Sequence, residues 1–193
     1  GAVEWCLWNA WDDFTNFQRN YSTGEVEIED KAIYHKTEYR ERRDHYAFFS
    51  VNEKVTDYDS DRATFLGRFN GWDSPASITD GKMGSSHASG WSPIAALENR
   101  FTLLPGEEKS LVFVLGYIEN KEEEKWEKKG VINKTKAHEL QQRYGKAVDA
   151  ERKLDELKAY WNTLLSSFSV STGEEKFDRM VNIWNQYQCM VTF

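Results

Sequence analysis

The 193-residue chain carries 32 acidic and 25 basic side chains, a formal net charge of −7, with 39 % hydrophobic residues. That balance belongs to a globular chain rather than a disordered or fibrous one, and it lacks the basic excess of a nucleic-acid or anionic-membrane surface. No apolar run reaches the roughly 20 residues of a membrane-spanning helix and no secretory leader opens the sequence, so a cytoplasmic protein is expected.

Eight Trp, nine Tyr and eleven Phe make the chain rich in rings that build cores or stack on the apolar faces of sugars. The two cysteines, Cys6 and Cys189, stand far apart with no Cys-x-x-Cys spacing, and are expected as buried, reduced thiols acting as small hydrophobes.

From Val3 to about Ile118 the pattern is that of short strands. "VEWCLWNA" opens it, and in "GEVEIEDKAIYH" Val26 and Ile28 alternate with Glu25, Glu27 and Glu29, the period-two signature of a strand with one buried face. "HYAFFSV" suits a core strand. Gly, Ser and Asp are dense between Tyr58 and Trp91, as in loops of a sandwich. "RFTLLPGEEKSLVFVLGYI" reads as a β-hairpin, with Pro105-Gly106-Glu107 at the turn between Phe101–Leu104 and Leu111–Ile118. An antiparallel β-sandwich follows for this half.

After Asn120 the character changes. "KEEEKWEKKG" reads as a solvated charge run. Beyond it Leu154, Leu157, Trp161, Leu164, Leu165 and Phe168 recur at helical spacing, with Gly145 dividing the helical stretch in two. Thr172 with Glu175 three residues on predicts a capping box for a last helix. In that helix Phe177, Met180, Val181, Trp184, Tyr187 or Gln188, and Val191 form an apolar stripe. Both ends of the chain have the look of cut structural elements.

Chemistry is sparse. His35, His45, His87 and His138 are scattered, without the convergent spacing a zinc site needs. "GSSHASG" places Ser85, Ser86 and His87 in a flexible-looking loop rather than a nucleophile elbow. "FLGRFNG" lacks phosphate-loop spacing and reads as a turn. "YRERRDH" sets Arg40, Arg42 and Arg43 among acidic residues, a salt-bridged segment. Asp12, Asp13, Asp57, Asp59 and Asp61 are each candidates for a glycosidic general acid, and spacing favours none. Trp5, Trp8, Trp11, Trp72 and Trp91 are candidate sugar platforms.

Several of these segments resemble cellobiose phosphorylases, the inverting disaccharide phosphorylases of glycoside hydrolase family 94. The resemblance is carried in order by "DDFTNFQRNYSTGEVE", "YHKTEYRERRDHYAFF", "DRATFLGR", "SGWSPI", "LPGEEKSLVFVLGYIEN" and "DRMVNIWNQYQCMVTF", over nearly the whole chain. It implies a galactose-mutarotase-like super-sandwich followed by linker helices and the opening helix of an (α/α)6 barrel. Residues 1–120 would be sandwich with N-terminal strands missing, 121–170 helical linker, and 171–193 the first helix of a truncated catalytic barrel.

The resemblance further implies reversible phosphorolysis of cellobiose to α-glucose 1-phosphate and glucose, with anomeric inversion. One carboxylic acid protonates the leaving oxygen and inorganic phosphate is co-substrate, with no metal and no organic cofactor. That acid is expected downstream of Phe193, so no catalytic residue is assigned in this chain and the chain alone is expected to be inactive. The resemblance also implies a homodimer in which "TNFQRNY" reaches the neighbouring subunit's active site, making Gln18 and Arg19 the candidate substrate-binding residues. The readings that compete with it are a free-standing carbohydrate-binding sandwich and a small glycoside hydrolase using its own carboxylates.

Overall fold

A computed structural model describes residues 1–5, 23–29, 31–36 and 44–192, and the chain divides into two compact units, Gly1–Ala147 and Val148–Phe193. In the first unit the strands are β1 (Ala2–Glu4), β2 (Thr23–Glu29), β3 (Ala32–Lys36), β4 (His45–Val51), β5 (Asp57–Asp61), β6 (Ser89–Trp91), β7 (Pro93–Glu98) and β8 (Phe113–Glu119). They build a five-stranded sheet, β6-β2-β3-β4-β8, and a three-stranded sheet, β1-β7-β5. All pairings within the two sheets are antiparallel.

Side chains alternate between faces along a strand, so a strand buried on both faces is apolar throughout. On β7, Ala95 and Leu97 point into the inter-sheet core with Trp5, Val26, Ile33, Ala47 and Phe49. Its Ile94 and Ala96 face the other way, onto Phe65, Leu66 and Met83. Phe65 and Leu66 come from the short helix α1 (Arg62–Leu66), whose N-terminus is capped by Asp61 Oδ2 accepting the Thr64 N–H at 2.7 Å. A second short helix, α2 (Ala76–Thr79), follows.

The five-stranded sheet is likewise covered twice. Tyr34, Tyr46, Phe48 and Ile118 leave its outer face and meet Ile132 and Ala137. Ile132 lies on a two-stranded ribbon of β9 (Trp126–Lys128) and β10 (Val131–Ile132), and Ala137 on helix α3 (Thr135–Tyr144). Burying each of these large rings adds about 2–3 kcal/mol. At its C-terminus α3 is closed by the Gly145 N–H donating to the Gln141 carbonyl at 2.8 Å, and a new helix starts two residues on, the division expected at Gly145.

Several local expectations are corrected. Residues 99–112 hold no strand, so the hairpin around Pro105-Gly106 does not form; β8 pairs along its length with β4 instead. The Asn52 side chain accepts the Val112 N–H at 2.9 Å and leads the chain into that register. The charge run 121–130 is not wholly solvated: Lys125 is buried, its ammonium 4.5 Å from the Trp126 ring centroid.

On β8 the residues that share a face with Phe49 and Ala47, namely Phe113, Leu115 and Tyr117, are exposed, and β4 is the neighbour of β8 among the described residues.

The second unit comprises all but the first residue of α4 (Ala147–Leu165), together with α5 (Glu175–Arg179), a π-helical turn Met180–Trp184 and α6 (Asn185–Thr192). Ion pairs Arg152–Asp149, Arg152–Glu156 and Lys153–Glu156 lace the polar face of α4. Asn182, in the π turn, exchanges two hydrogen bonds of 2.8 Å with the Val170 backbone. Gln186 Nε2 donates to the Leu165 and Phe168 carbonyls at 3.4 and 3.2 Å.

The Thr172–Glu175 capping box does not form. Both the N–H and the hydroxyl of Thr172 turn to Asp178 Oδ1, at 2.9 and 2.7 Å, because a carboxylate one turn inside the helix takes both donors at once. Leu154, Leu157, Tyr160, Phe168, Phe177, Ile183, Trp184 and Tyr187 are all exposed in this unit. Cys189 is free and exposed, against the expectation of a buried thiol.

Candidate functional site

Gln18 and Arg19, the residues assigned to substrate, lie outside the described residues, as do Cys6, Trp8, Trp11, Asp12, Asp13, Arg40, Arg42 and Arg43. What the structure places is the rest of the chemistry-bearing set.

Asp57, Asp59 and Asp61 share β5, and each serves the fold. Asp61 caps α1. Asp57 Oδ1 accepts the Ser85 hydroxyl at 2.6 Å and the Tyr58 N–H at 2.8 Å. Asp59 is fully buried, with the hydroxyls of Ser77 (2.9 Å) and Ser86 (2.6 Å) and the N–H groups of Gly84 (3.0 Å) and Ser86 (3.1 Å) donating to it. Next to it the Ser60 hydroxyl donates to the Ser86 carbonyl at 2.8 Å and accepts the Ala88 N–H at 2.8 Å. "GSSHASG" is therefore a pinned segment rather than a flexible one, and His87 within it donates from Nε2 to the Val26 carbonyl at 3.1 Å.

A second polar cluster joins the acidic face of β2 to the segment that covers it. Glu27 Oε1 accepts from Lys36 Nζ at 2.9 Å and from the Ile132 N–H at 3.0 Å, and Glu27 Oε2 is 2.6 Å from Lys134 Nζ. Lys36 also reaches Glu25 (3.1 Å) and the Gly130 carbonyl (2.5 Å). Burial by itself would raise the Glu27 carboxyl; the hydrogen bonds from Lys134, Ile132 and Lys36 outweigh it and hold Glu27 below the usual carboxylate range.

Glu29 behaves alike: against burial, His138 Nε2 at 3.1 Å and the charge of Lys134 keep its carboxyl low. Carboxylates held ionised by cations are poor proton donors at neutral pH. A shallow groove of ≈ 490 Å³ lies above this cluster, lined by Glu29, Lys31, Ala32, Tyr34 and Gln141.

His35 is deeply buried, its ring stacked on Trp5 at 5.7 Å, and neither ring nitrogen has a hydrogen-bond partner among the described residues. Burial pushes its pKa down to about 4, so it is neutral at physiological pH. His45 pairs with Asp44 at 3.2 Å. The four histidines do not converge, and no group of three metal-ligating side chains occurs among the described residues. Of the candidate sugar platforms, Trp5 is in the core and Trp72 is partly exposed; nothing is described of the Trp91 side chain. Among the described residues the carboxylates singled out are committed to capping, buried networks or ion pairs, which is the chemistry of a scaffold.

The Glu27 cluster was not anticipated from sequence. Its signal is the Glu25, Glu27, Glu29 alternation itself, which reads equally well as a solvated face.

Similarity to known proteins follows this architecture. Residues 1–147 match the glycosyl hydrolase 94 supersandwich domain, and residues 160–193 match the glycosyl hydrolase 94 superfamily catalytic domain. An N,N'-diacetylchitobiose phosphorylase of Vibrio furnissii is 22% identical over 197 aligned positions, covering 97% of this chain and 22% of its own length. Cyclic beta-(1,2)-glucan synthase NdvB of Rhizobium meliloti (strain 1021) is 28% identical over 75% of this chain and 5% of its own. A 3-O-beta-D-glucopyranosyl-beta-D-glucuronide phosphorylase of Paenibacillus borealis is 27% identical over 69% of this chain and 16% of its own. The chain thus spans about a fifth or less of these relatives.

Proposed function

Because the chain belongs to glycoside hydrolase family 94, we propose that it is the sandwich-and-linker portion of a cellobiose phosphorylase. In that reading the longer protein cleaves cellobiose with inorganic phosphate, releasing α-glucose 1-phosphate and glucose with inversion. Phosphate attacks the anomeric carbon from the face opposite the leaving glucose. A carboxylic acid beyond Phe193 protonates the leaving oxygen, and no base is needed because the nucleophile is already anionic. No metal or organic cofactor takes part. The protein works as a cytoplasmic homodimer, and Gln18 and Arg19 contact substrate or phosphate in the neighbouring subunit. A guanidinium presents a planar pair of donors suited to an anionic oxygen pair.

The observation that carries this reading is the order of the two domain matches, supersandwich and then catalytic, within one chain. It favours a piece of an enzyme over a free-standing binding module, and the exposed apolar residues of α4 to α6 suit helices that belong to a larger helical body. The committed state of Asp57, Asp59 and Asp61 speaks against a small hydrolase built on them. No helix of the described residues is long and apolar enough to cross a membrane.

The test is sugar phosphate release by the longer protein from cellobiose, N,N'-diacetylchitobiose and a glucosyl-glucuronide, each with inorganic phosphate. Preference for cellobiose, with α-glucose 1-phosphate as product, is expected. Release of N-acetylglucosamine 1-phosphate in its place overturns the substrate. In the same protein Arg19→Ala is expected to raise KM for phosphate; unchanged kinetics for both substrates removes Arg19 from the site.

A further inference from the structure

The segment between α1 and α2 presents an aromatic side chain in an unusual way. Phe69 is 98% exposed, and its backbone lies in the left-handed region at φ 70, where a bulky residue is a genuine outlier. Outliers of this kind persist where the surrounding structure imposes them, and they collect at ligand-contacting positions.

Here the surroundings do impose it. Gly67 has φ 81, and a Cβ on it would stand 2.7 Å from Ala76 Cβ, so the chain passes tightly over the start of α2. The Ser74 N–H donates to the Gly71 carbonyl at 3.2 Å. Trp72 leans on the buried Phe65, ring centroids 5.6 Å apart, and keeps 38% of its surface exposed. The loop is thus anchored at both ends while its phenyl ring stays in water.

The side chains flanking that ring define what it suits. Arg68, Asn70 and Asp73 are exposed and offer a guanidinium, an amide and a carboxylate, all planar groups able to bridge neighbouring hydroxyls. Arg68 and Asp73 cancel in charge, which disfavours a polyanion. Phe69 and the open part of Trp72 present about 250 Å² of aromatic surface, well short of the roughly 800 Å² per partner of a stable protein interface. A flat, neutral, hydroxyl-edged ligand fits both limits.

We infer that the 68–73 loop is a saccharide-binding site that stacks a β-linked gluco-oligosaccharide on Phe69 and Trp72. In such a chain all hydroxyls are equatorial, so each pyranose has an apolar C–H face for the rings and a polar edge for Arg68, Asn70 and Asp73. This rests on the saccharide-processing reading above, yet its readout is binding alone. It therefore fails or holds independently of sugar phosphate release by the longer protein.

The experiment is ligand-observed NMR and calorimetry on the 193-residue chain with cellotetraose, and with maltotetraose as the α-linked control. Cellotetraose is expected to bind more tightly than maltotetraose. Phe69→Ala is expected to weaken it at least tenfold and Phe69→Trp to retain it. Because Phe69 is in water, both variants should keep the circular dichroism of the parent chain, and that is measured alongside. Absence of cellotetraose binding, equal binding by Phe69→Ala, or a change of oligomeric state on Phe69→Ala in place of a binding loss overturns the proposal.

Discussion

Neutral His35 at the centre of the sandwich makes the stability of the first unit depend on pH in a defined window. Its ring is buried against Trp5 with both nitrogens unpartnered among the described residues, and burial takes its pKa from about 6.5 in an unfolded chain to about 4 in the folded one. The folded state therefore binds fewer protons than the unfolded state between those two values. The stabilising contribution is complete above about pH 6.5 and is lost as pH falls toward 4. A displacement of about 2.5 units at 1.36 kcal/mol each amounts to about 3 kcal/mol, a large fraction of the 5–15 kcal/mol that holds a typical domain.

Replacing His35 by Leu removes the titrating group and its two unsatisfied nitrogens while keeping an apolar side chain of similar bulk. Urea unfolding followed by tryptophan fluorescence at pH 7, 6, 5 and 4.5 measures the effect. The parent chain is expected to lose stability progressively, and His35→Leu to lose about 2–3 kcal/mol less over that range. The carboxyls of Glu27 and Glu29, both held below their usual range, act at still lower pH, where protonation would remove their pairing with Lys134. The difference between parent and variant isolates the histidine. Parallel stability curves for the two proteins would refute the reasoning.

Asp59→Ala leaves the Ser77 and Ser86 hydroxyls and the Gly84 and Ser86 N–H groups without their acceptor; a loss of about 3 kcal/mol or more and faster hydrogen exchange at both amides are expected, and unchanged protection would contradict the network. Glu27→Gln strips the negative partner shared by Lys36 and Lys134. It should cost about 2–4 kcal/mol in thermal unfolding, whereas a change within 0.5 kcal/mol, the usual range of an indifferent surface site, would mean the lysines find other partners. Gly116→Ala would set a Cβ 2.2 Å from Phe48 Cε1 in the core; a loss of about 1–3 kcal/mol from overpacking is expected, and full retention of stability would show that Phe48 has room to move.

The alternation of Val26 and Ile28 with three glutamates identified β2, and "HYAFFSV" identified β4, because a strand's period and its buried side chains are local properties. What covers the glutamates is not local. Lys134 stands more than a hundred positions from Glu27, and nothing in either segment announces that β10 and α3 fold back over β2. The same limit explains the misplaced hairpin. Pro105-Gly106 is good turn chemistry, but β8 finds its partner in β4, where Phe49 and Phe113 stack with centroids 5.6 Å apart. The aspartates of β5 looked like interchangeable acids until their donors could be counted. Phe69 carried no signal at all, since a positive φ at a non-glycine residue is invisible in sequence.

The π-helical turn Met180–Trp184 alters the geometry of the helix that holds it. Hydrogen bonds from i to i+5 place one additional residue in the turn, and one residue is about 100° of rotation. The apolar side chains before the turn, such as Phe177, and those after it, such as Tyr187 and Val191, therefore do not continue a single stripe. The bulge acts as a phase shift that splits one stripe into two faces set at an angle. A helix of that form is shaped to be wedged between two neighbours rather than laid against one, as a stave meets the staves on either side of it.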